Sequence, residues 1–283
     1  VPLNDIKGPE FHTTSGSINN YFSRQSMTEY VGDKGDELID KITAFERNGE
    51  EPLEISEYRY RDANHSVSAS EAISGMDALR KVITKTPGTD AGGRPAFYLQ
   101  SEAFYVGDVN LEVLDMTANY TQGTNRQNHV SQTSVSYYFD DANGNGRMDP
   151  REAGTLRRAK DADPDDKVGR VLTYSGDHAS FLSVRENFRY DREGRTRSFT
   201  ESGMEAGGSY SFTRSHIVYD DDGNVLSFSE AGERNGQSYS FRRSGMGYDD
   251  RGILIHQGQF EMQGAIIDIS EAGIGSIFSP EDN

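Results

Sequence analysis

From residue 180 onward the chain alternates large and small side chains with a period of two. In "SYSFTRSHIVY", residues 209–219, one set is Tyr210, Phe212, Arg214, His216 and Val218. The other is Ser209, Ser211, Thr213, Ser215 and Ile217. Such alternation marks a β-strand with one face carrying bulk and the other facing water. The pattern then repeats. "SFLSVRENFRYDREGRTRSFTESG", "SYSFTRSHIVYDDDGNVLSFSEAG" and "SYSFRRSGMGYDDRGILIHQGQFE" place Tyr190, Tyr219 and Tyr248 in phase, as they do Ser180, Ser209 and Ser238, and Arg185, Arg214 and Arg243. The repeat covers 180–266 with a period of 29 residues.

Each unit reads as two strands and two turns. Asp191, Asp220 and Asp249 follow the tyrosines, and Gly194, Gly223 and Gly252 close the turn three residues later. An Asx turn starter followed by a residue able to take positive φ is the chemistry of a four-residue hairpin connection. "MEAGG" and "ERNGQ" supply the opposite turns. About ten to twelve residues remain per strand, roughly 35–40 Å. Consecutive hairpins at constant period predict a mainly β fold, a long-stranded antiparallel meander. "RPAFYLQSEAFYV", "DVNLEVLDMTANYTQG" and "YYFDDANGNG" extend it toward the N-terminus, and "YRYRDANHSVSASEA" reads as a more diverged copy.

The first ninety residues lack this regularity. "DELIDKITAFERNG" groups Leu38, Ile39, Ile42 and Phe45 at helical spacing before Asn48-Gly49. "SEAISGMDALRKVITK" does the same with Ile73, Met76, Leu79, Val82 and Ile83. The spacing predicts one or two short helices in the N-terminal third, although the first segment also reads as a strand. The expected organisation is an extended arm plus an α/β capping region over 1–90, then the β meander over 91–283. The tail "IFSPEDN" reads as frayed.

Composition sharpens this picture. Hydrophobic residues make up 34% of the 283 and mean hydropathy is -0.75, yet aromatics reach 10%, with 15 Tyr and 14 Phe. That aromatic content argues against disorder and for a folded sheet with a thin core. The net charge of -17 disfavours a nucleic-acid partner, which needs a basic face, and favours divalent cations. There is no Cys for disulfides, thiolate sites or nucleophilic catalysis. No apolar run reaches the roughly 20 residues of a membrane helix. Neither alternating set quoted above is a lipid-facing band. The opening "VPLNDIKGPEF", without Met, reads as processed or truncated, and the segment to Phe22 reads as an aperiodic arm.

One stretch carries specific chemistry. In "DDANGNGRMDPRE", Asp141, Asn143 and Asn145 alternate, Gly146 follows, and Arg147, Asp149 and Glu152 complete a twelve-residue loop. Side-chain oxygens at the first, third, fifth, ninth and twelfth positions, the seventh carbonyl, and Gly at the sixth suit Ca2+. The stretch resembles an isolated EF-hand-type calcium loop, as in bacterial extracellular proteins. The resemblance implies one Ca2+ held by Asp141, Asn143, Asn145, the Arg147 carbonyl, Asp149 and Glu152. With three carboxylates, the site suits millimolar extracellular calcium. The Tyr-Asp-x-x-Gly element is also weakly similar to the Tyr-Asp repeats of bacterial surface and toxin-shell proteins. "KDADPDDKVG" lacks Gly and Glu at the needed positions and reads as a solvated acidic loop.

No catalytic constellation is evident. The six histidines are scattered, "GDHAS" reads as a plain turn, and no nucleophile elbow, P-loop or dinucleotide fingerprint occurs. The expectation is a secreted or cell-surface, calcium-stabilised protein with a structural or adhesive role and no catalytic residues. Two alternatives stay open. One is a carbohydrate-binding or carbohydrate-active module. The other is a subunit of an extracellular filament or surface layer, its arm pairing with a neighbour's sheet edge.

Overall fold

The computed structural model describes residues 26–45, 51–62, 65–90, 92–122, 128–176, 180–205, 208–248, 254–262 and 265–268. The N-terminal arm, "GDHAS" beyond Gly176, and the C-terminal tail lie wholly or largely outside these residues.

The chain forms an antiparallel meander. In order the strands are β1 (Ser26–Val31), β2 (Leu38–Phe45), β3 (Pro52–Tyr60), β4 (Leu79–Thr89), β5 (Pro95–Val106) and β6 (Val113–Gln122). Then come β7 (Asn128–Phe139), β8 (Arg157–Arg158), β9 (Lys167–Ser175), β10 (Ser180–Tyr190), β11 (Thr196–Glu205) and β12 (Gly208–Tyr219). The last are β13 (Val225–Arg234), β14 (Gln237–Ser244), β15 (Gly247–Tyr248), β16 (Leu254–His256), β17 (Gln259–Met262) and β18 (Ala265–Asp268). Sixteen strands share one sheet in sequence order, with β8 as a side branch on β7 and β15–β16 as a separate ribbon. Substantial contacts between elements link sheet neighbours or involve a 3-10 turn at Ala159–Asp161.

The expected N-terminal helices are not formed. "LIDKITAF" is β2, and "LRKVITKTPGT" is β4, preceded by a turn-rich loop that exposes Ile73 and Met76. β-Branched Ile, Thr and Val dominate both segments, and each has a strand on both sides with which to pair. Tertiary pairing overrides the short helical spacing.

In the repeat, the core is formed by side chains on one face of the sheet. Phe188, Phe199, Ile217, Phe228 and Met246 are buried there, with Tyr190, Phe212, Tyr219, Phe241 and Tyr248 packed against them. The straight alternation read from residues 209–219 breaks at a bulge. Asn187, His216 and Gly245 occupy equivalent repeat positions and all take positive φ, 56°, 53° and 71°. The ladder shifts there in β10 and β12. The extra residue changes the phase, so Tyr210, Phe212 and Arg214 share the core face with Ile217 and Tyr219. Ile217 is 4% exposed and Val218 41%, the reverse of what strict alternation assigns.

Two bonding patterns hold the layer. The first uses the repeat tyrosines. Tyr190 Oη donates to Val168 O (2.8 Å), Tyr219 Oη to Thr196 O (2.6 Å) and Tyr248 Oη to Val225 O (2.8 Å). Tyr60 and Tyr138 do the same to Ile39 O (2.7 Å) and Leu114 O (2.5 Å), so "YRYRDANH" and "YYFDDANG" carry the same device. In each case the backbone ladder between adjacent hairpins has already ended. The β11–β12 ladder stops at Phe199↔Arg214, and the β9–β10 ladder at Arg170↔Glu186. The phenol takes a carbonyl that the splaying strands leave free.

The second pattern is an Arg–Glu–Tyr triad. Arg214 binds Glu230 Oε2 at 2.6 Å while Tyr239 donates to its Oε1 at 3.1 Å. Arg185, Glu201 and Tyr210 form the same triad one unit earlier, at 2.6 and 2.9 Å. Lys81, Glu102 and Tyr120 reproduce it in the N-terminal half. Arg214 also stacks on Phe228, 4.3 Å from its centroid.

Candidate functional site

The loop from Asp140 to Asp166 joins β7 to β9, at the sheet end that also carries the Tyr-Asp turns. β7 delivers it by burying Tyr138 and Phe139, the latter 0% exposed. The loop residues expected to bind a cation are joined by bonds within the loop. Asp141 accepts from the Asn145 and Gly146 N–H groups at 3.1 and 2.9 Å. Asn143 Oδ1 accepts from Asn145 N–H at 2.9 Å, and Asn145 Oδ1 from Arg147 N–H at 2.9 Å. Glu152 reaches back to accept from Asp149 N–H at 2.7 Å. The side-chain amides of Asn143 and Asn145 donate to Asp149 Oδ2 at 3.0 and 3.1 Å, and Asn143 also reaches Glu152 Oε1 at 3.4 Å.

The donor set is all oxygen, with three carboxylates and two amides, and so fits calcium in chemical class. Arg147 contributes no liganding side chain; its guanidinium instead lies 3.3 Å from Asp149 Oδ1. Among the described residues no three His, Asp or Glu side chains are gathered closely enough to form a metal-holding group. The two Asn amides bridge the carboxylates instead.

The sequence did not signal how this loop docks. Gly146 O accepts from Tyr190 N–H at 2.7 Å, and Arg147 pairs with Arg189 as a short antiparallel bridge. A Cβ on Gly146, where φ is +70°, would lie 2.6 Å from Tyr190 O. Gly146 therefore serves the loop's sharp turn and its close approach to β10. The loop thus ties β7 to the first unit of the repeat.

The acidic stretch after it is structural. Asp166 accepts two bonds from Arg157, both at 2.8 Å, and one from Asp163 N–H at 2.9 Å. Its side chain is 4% exposed, so the expected solvated loop holds for Asp161 and Asp163 but not for Asp166. His216 sits on the exposed bulge with Nδ1 3.0 Å from Ser215 Oγ.

No helix among the described residues is long and apolar enough to cross a membrane. No family model matches the chain, and no curated protein matches it in sequence. Among solved structures it is similar to a porin-like protein from Bacteroides uniformis ATCC 8492, at TM-score 0.29 and 7% identity over 86% of this chain and 91% of that one. It is also similar to TcdB2-TccC3, at TM-score 0.24 and 11% identity over 84% of this chain and 14% of that one. The class defined by the fold is an antiparallel β-meander with Tyr-Asp hairpins in its repeat.

Proposed function

We propose that this chain is a structural or adhesive scaffold of a secreted or cell-surface protein, with one calcium ion stapling its loop end. The observation carrying this reading is where the repeated residues go. The Tyr, Arg and Glu positions that recur along the chain bond strand to strand, so what the repeat preserves is the sheet itself. The calcium element draws support from the oxygen donors that Asp141, Asn143, Asn145, Asp149 and Glu152 place in one loop, with the Arg147 carbonyl as the remaining donor. Bound there, the cation would neutralise three carboxylates in a chain of net charge -17.

Calorimetric melting with millimolar calcium and with EGTA tests this. A stabilisation of roughly 2.7 kcal/mol is expected at 100 times the dissociation constant, and Glu152→Gln removes most of it. Equal melting in calcium and EGTA would reduce the loop to a turn held by its amides. A second reading, a glycan-binding face, draws support from the in-register hydroxyls Ser202↔Ser211, Thr200↔Thr213 and Ser215↔Ser229. Glycan-array binding lost in a Thr200→Val, Thr213→Val double variant would favour it.

A further inference from the structure

At the Tyr end of the sheet, neighbouring hairpins splay and leave wedges, and most of the wedges are filled. Between β2 and β3, Val67 pairs with Tyr60 through two backbone bonds of 2.9 and 3.1 Å. Between β6 and β7, β8 pairs with Tyr137 and Tyr138. Between β9 and β10, Gly146 and Arg147 pair along Arg189 and Tyr190. Between β13 and β14, Met246 N–H still reaches Leu226 O at 3.2 Å. Three unrelated pieces of chain thus perform one task, adding a short extended segment beside the strand that ends in the tyrosine.

The wedge between β11 and β12 has no such filler among the described residues. Tyr219 there is the repeat equivalent of Tyr190, whose N–H faces its wedge and bonds Gly146 O. No loop carbonyl among the described residues takes the N–H of Tyr219. Side-chain bonds span the opening: Tyr219 Oη to Thr196 O and Arg197 Nη1 to Ile217 O, 2.6 and 2.8 Å. What remains is a groove lined by Arg189, Arg197, Ser198, Thr200, His216 and Val218 among others. No Asp or Glu lines it, in a chain with 46 acidic residues. Arg189 is exposed and has no ion pair among the described residues, whereas Arg157, Arg158, Arg170, Arg185, Arg195 and Arg214 each have one.

We propose that the β11–β12 wedge is a docking site for a short extended peptide segment of another protein, one that carries acidic side chains. Its backbone would pair along Val218 and Tyr219 as Gly146–Arg147 pairs along Arg189 and Tyr190. Its carboxylates would meet Arg189 and Arg197. Main-chain bonds supply the register and the guanidinium groups select the charge, which is recognition by strand addition at a site smaller than a sheet edge. The three filled wedges show that this geometry accepts such a segment, and the charge of the empty one states which kind.

Labelled peptides alternating Glu with Val, Gln with Val and Lys with Val are titrated against the full chain by fluorescence anisotropy. Hydrogen exchange at the Tyr219 amide is followed in parallel. The Glu peptide is expected to bind best and to slow exchange at Tyr219. Its backbone N-methylated form is expected to lose both effects. Arg189→Gln should weaken the Glu peptide about fivefold, the weight of one exposed ion pair. Arg189→Glu should shift preference to the Lys peptide, with unchanged melting showing that the sheet is intact. Equal binding of the N-methylated peptide, or unchanged Tyr219 exchange, would overturn the proposal. So would Tyr219 protection that rises with protein concentration alone, which would assign the wedge to a second copy. Competition by a polyuronate at the affinity of the Glu peptide would also overturn it, in favour of a glycan groove.

Discussion

The wedge at Tyr138 and the wedge at Tyr219 have the same frame and opposite contents. Both tyrosines end a strand after the ladder to the preceding hairpin has stopped, and both donate to a carbonyl across the opening. At Tyr138 the chain returns through Arg157 and Arg158, packs Ala159 to 1% exposure, and leaves Tyr138 itself 6% exposed. At Tyr219 the connection to β13 is five residues long, and no segment among the described residues returns to the junction. The opening without such a segment lies in the regular half of the molecule. The irregular loops between Tyr60 and β4 and between β7 and β9 are what seal the junctions at Tyr60, Tyr138 and Tyr190. A bond made inside a sealed junction has no water to replace it when it is lost, whereas a bond at an open junction does.

The largest effect that would break this comparison is at Gly146. Gly146→Ala sets a Cβ against Tyr190 O and strains a positive φ, and is expected to cost about 3 kcal/mol. Gly144→Ala shares the positive φ but meets nothing within 4 Å, and should cost only about 1 kcal/mol. Denaturant melts of the pair decide the matter, since equal losses would mean that the loop does not press on β10.

Next come the phenols. Tyr138→Phe leaves Leu114 O without its donor in a sealed junction and should cost about 2 kcal/mol. Tyr219→Phe faces the open wedge, where water can serve Thr196 O, and should cost less than about 1 kcal/mol. A larger loss at Tyr219 than at Tyr138 would invert the comparison.

A smaller effect, seen only at alkaline pH, follows from the same burial. Burial pushes the Tyr60 and Tyr138 phenols up from 10 to about 12. A raised phenol favours the neutral form in the folded state. That stabilisation is complete below pH 10 and is lost as the pH rises through about 12. Tyrosinate absorbance and melting followed together across that window should show stability falling there, and flat melting would contradict it. The smallest effect is at the bulge. His216→Gly relieves a positive φ of 53° that its third-unit counterpart, Gly245, meets without strain. The melting temperature should rise slightly, by less than the 2–4 °C or so of 1 kcal/mol in a chain of this size.

Several of these features were legible in the linear chain. The 29-residue spacing of Tyr190, Tyr219 and Tyr248 defined the hairpins, and β10 and β12 do end at such tyrosines. Tyr248 departs, lying in the β15–β16 ribbon while keeping the same bond to the previous hairpin. The loop at 141–152 has local spacing, and the side chains of Asn143, Asn145, Asp149 and Glu152 bond within it. The helices expected around Ile42 and Val82 were not borne out, because a few apolar residues at helical spacing also fit a strand with partners on both sides. The bulge at Asn187, His216 and Gly245 was hidden for another reason. One extra residue in a strand leaves no mark in composition, yet it reverses which side chains face the core.

What the sequence determined alone, then, is what local spacing encodes: strand period, turn chemistry, the repeat and the oxygen-donor loop. The tertiary structure decided which hairpins splay, which loop segment seals each opening, and which opening stays free. Those outcomes depend on contacts between residues far apart in the chain, such as Tyr138 with Leu114 and Gly146 with Tyr190. No period read along one strand contains them, because a backbone group seeks whatever partner the assembled sheet brings within reach.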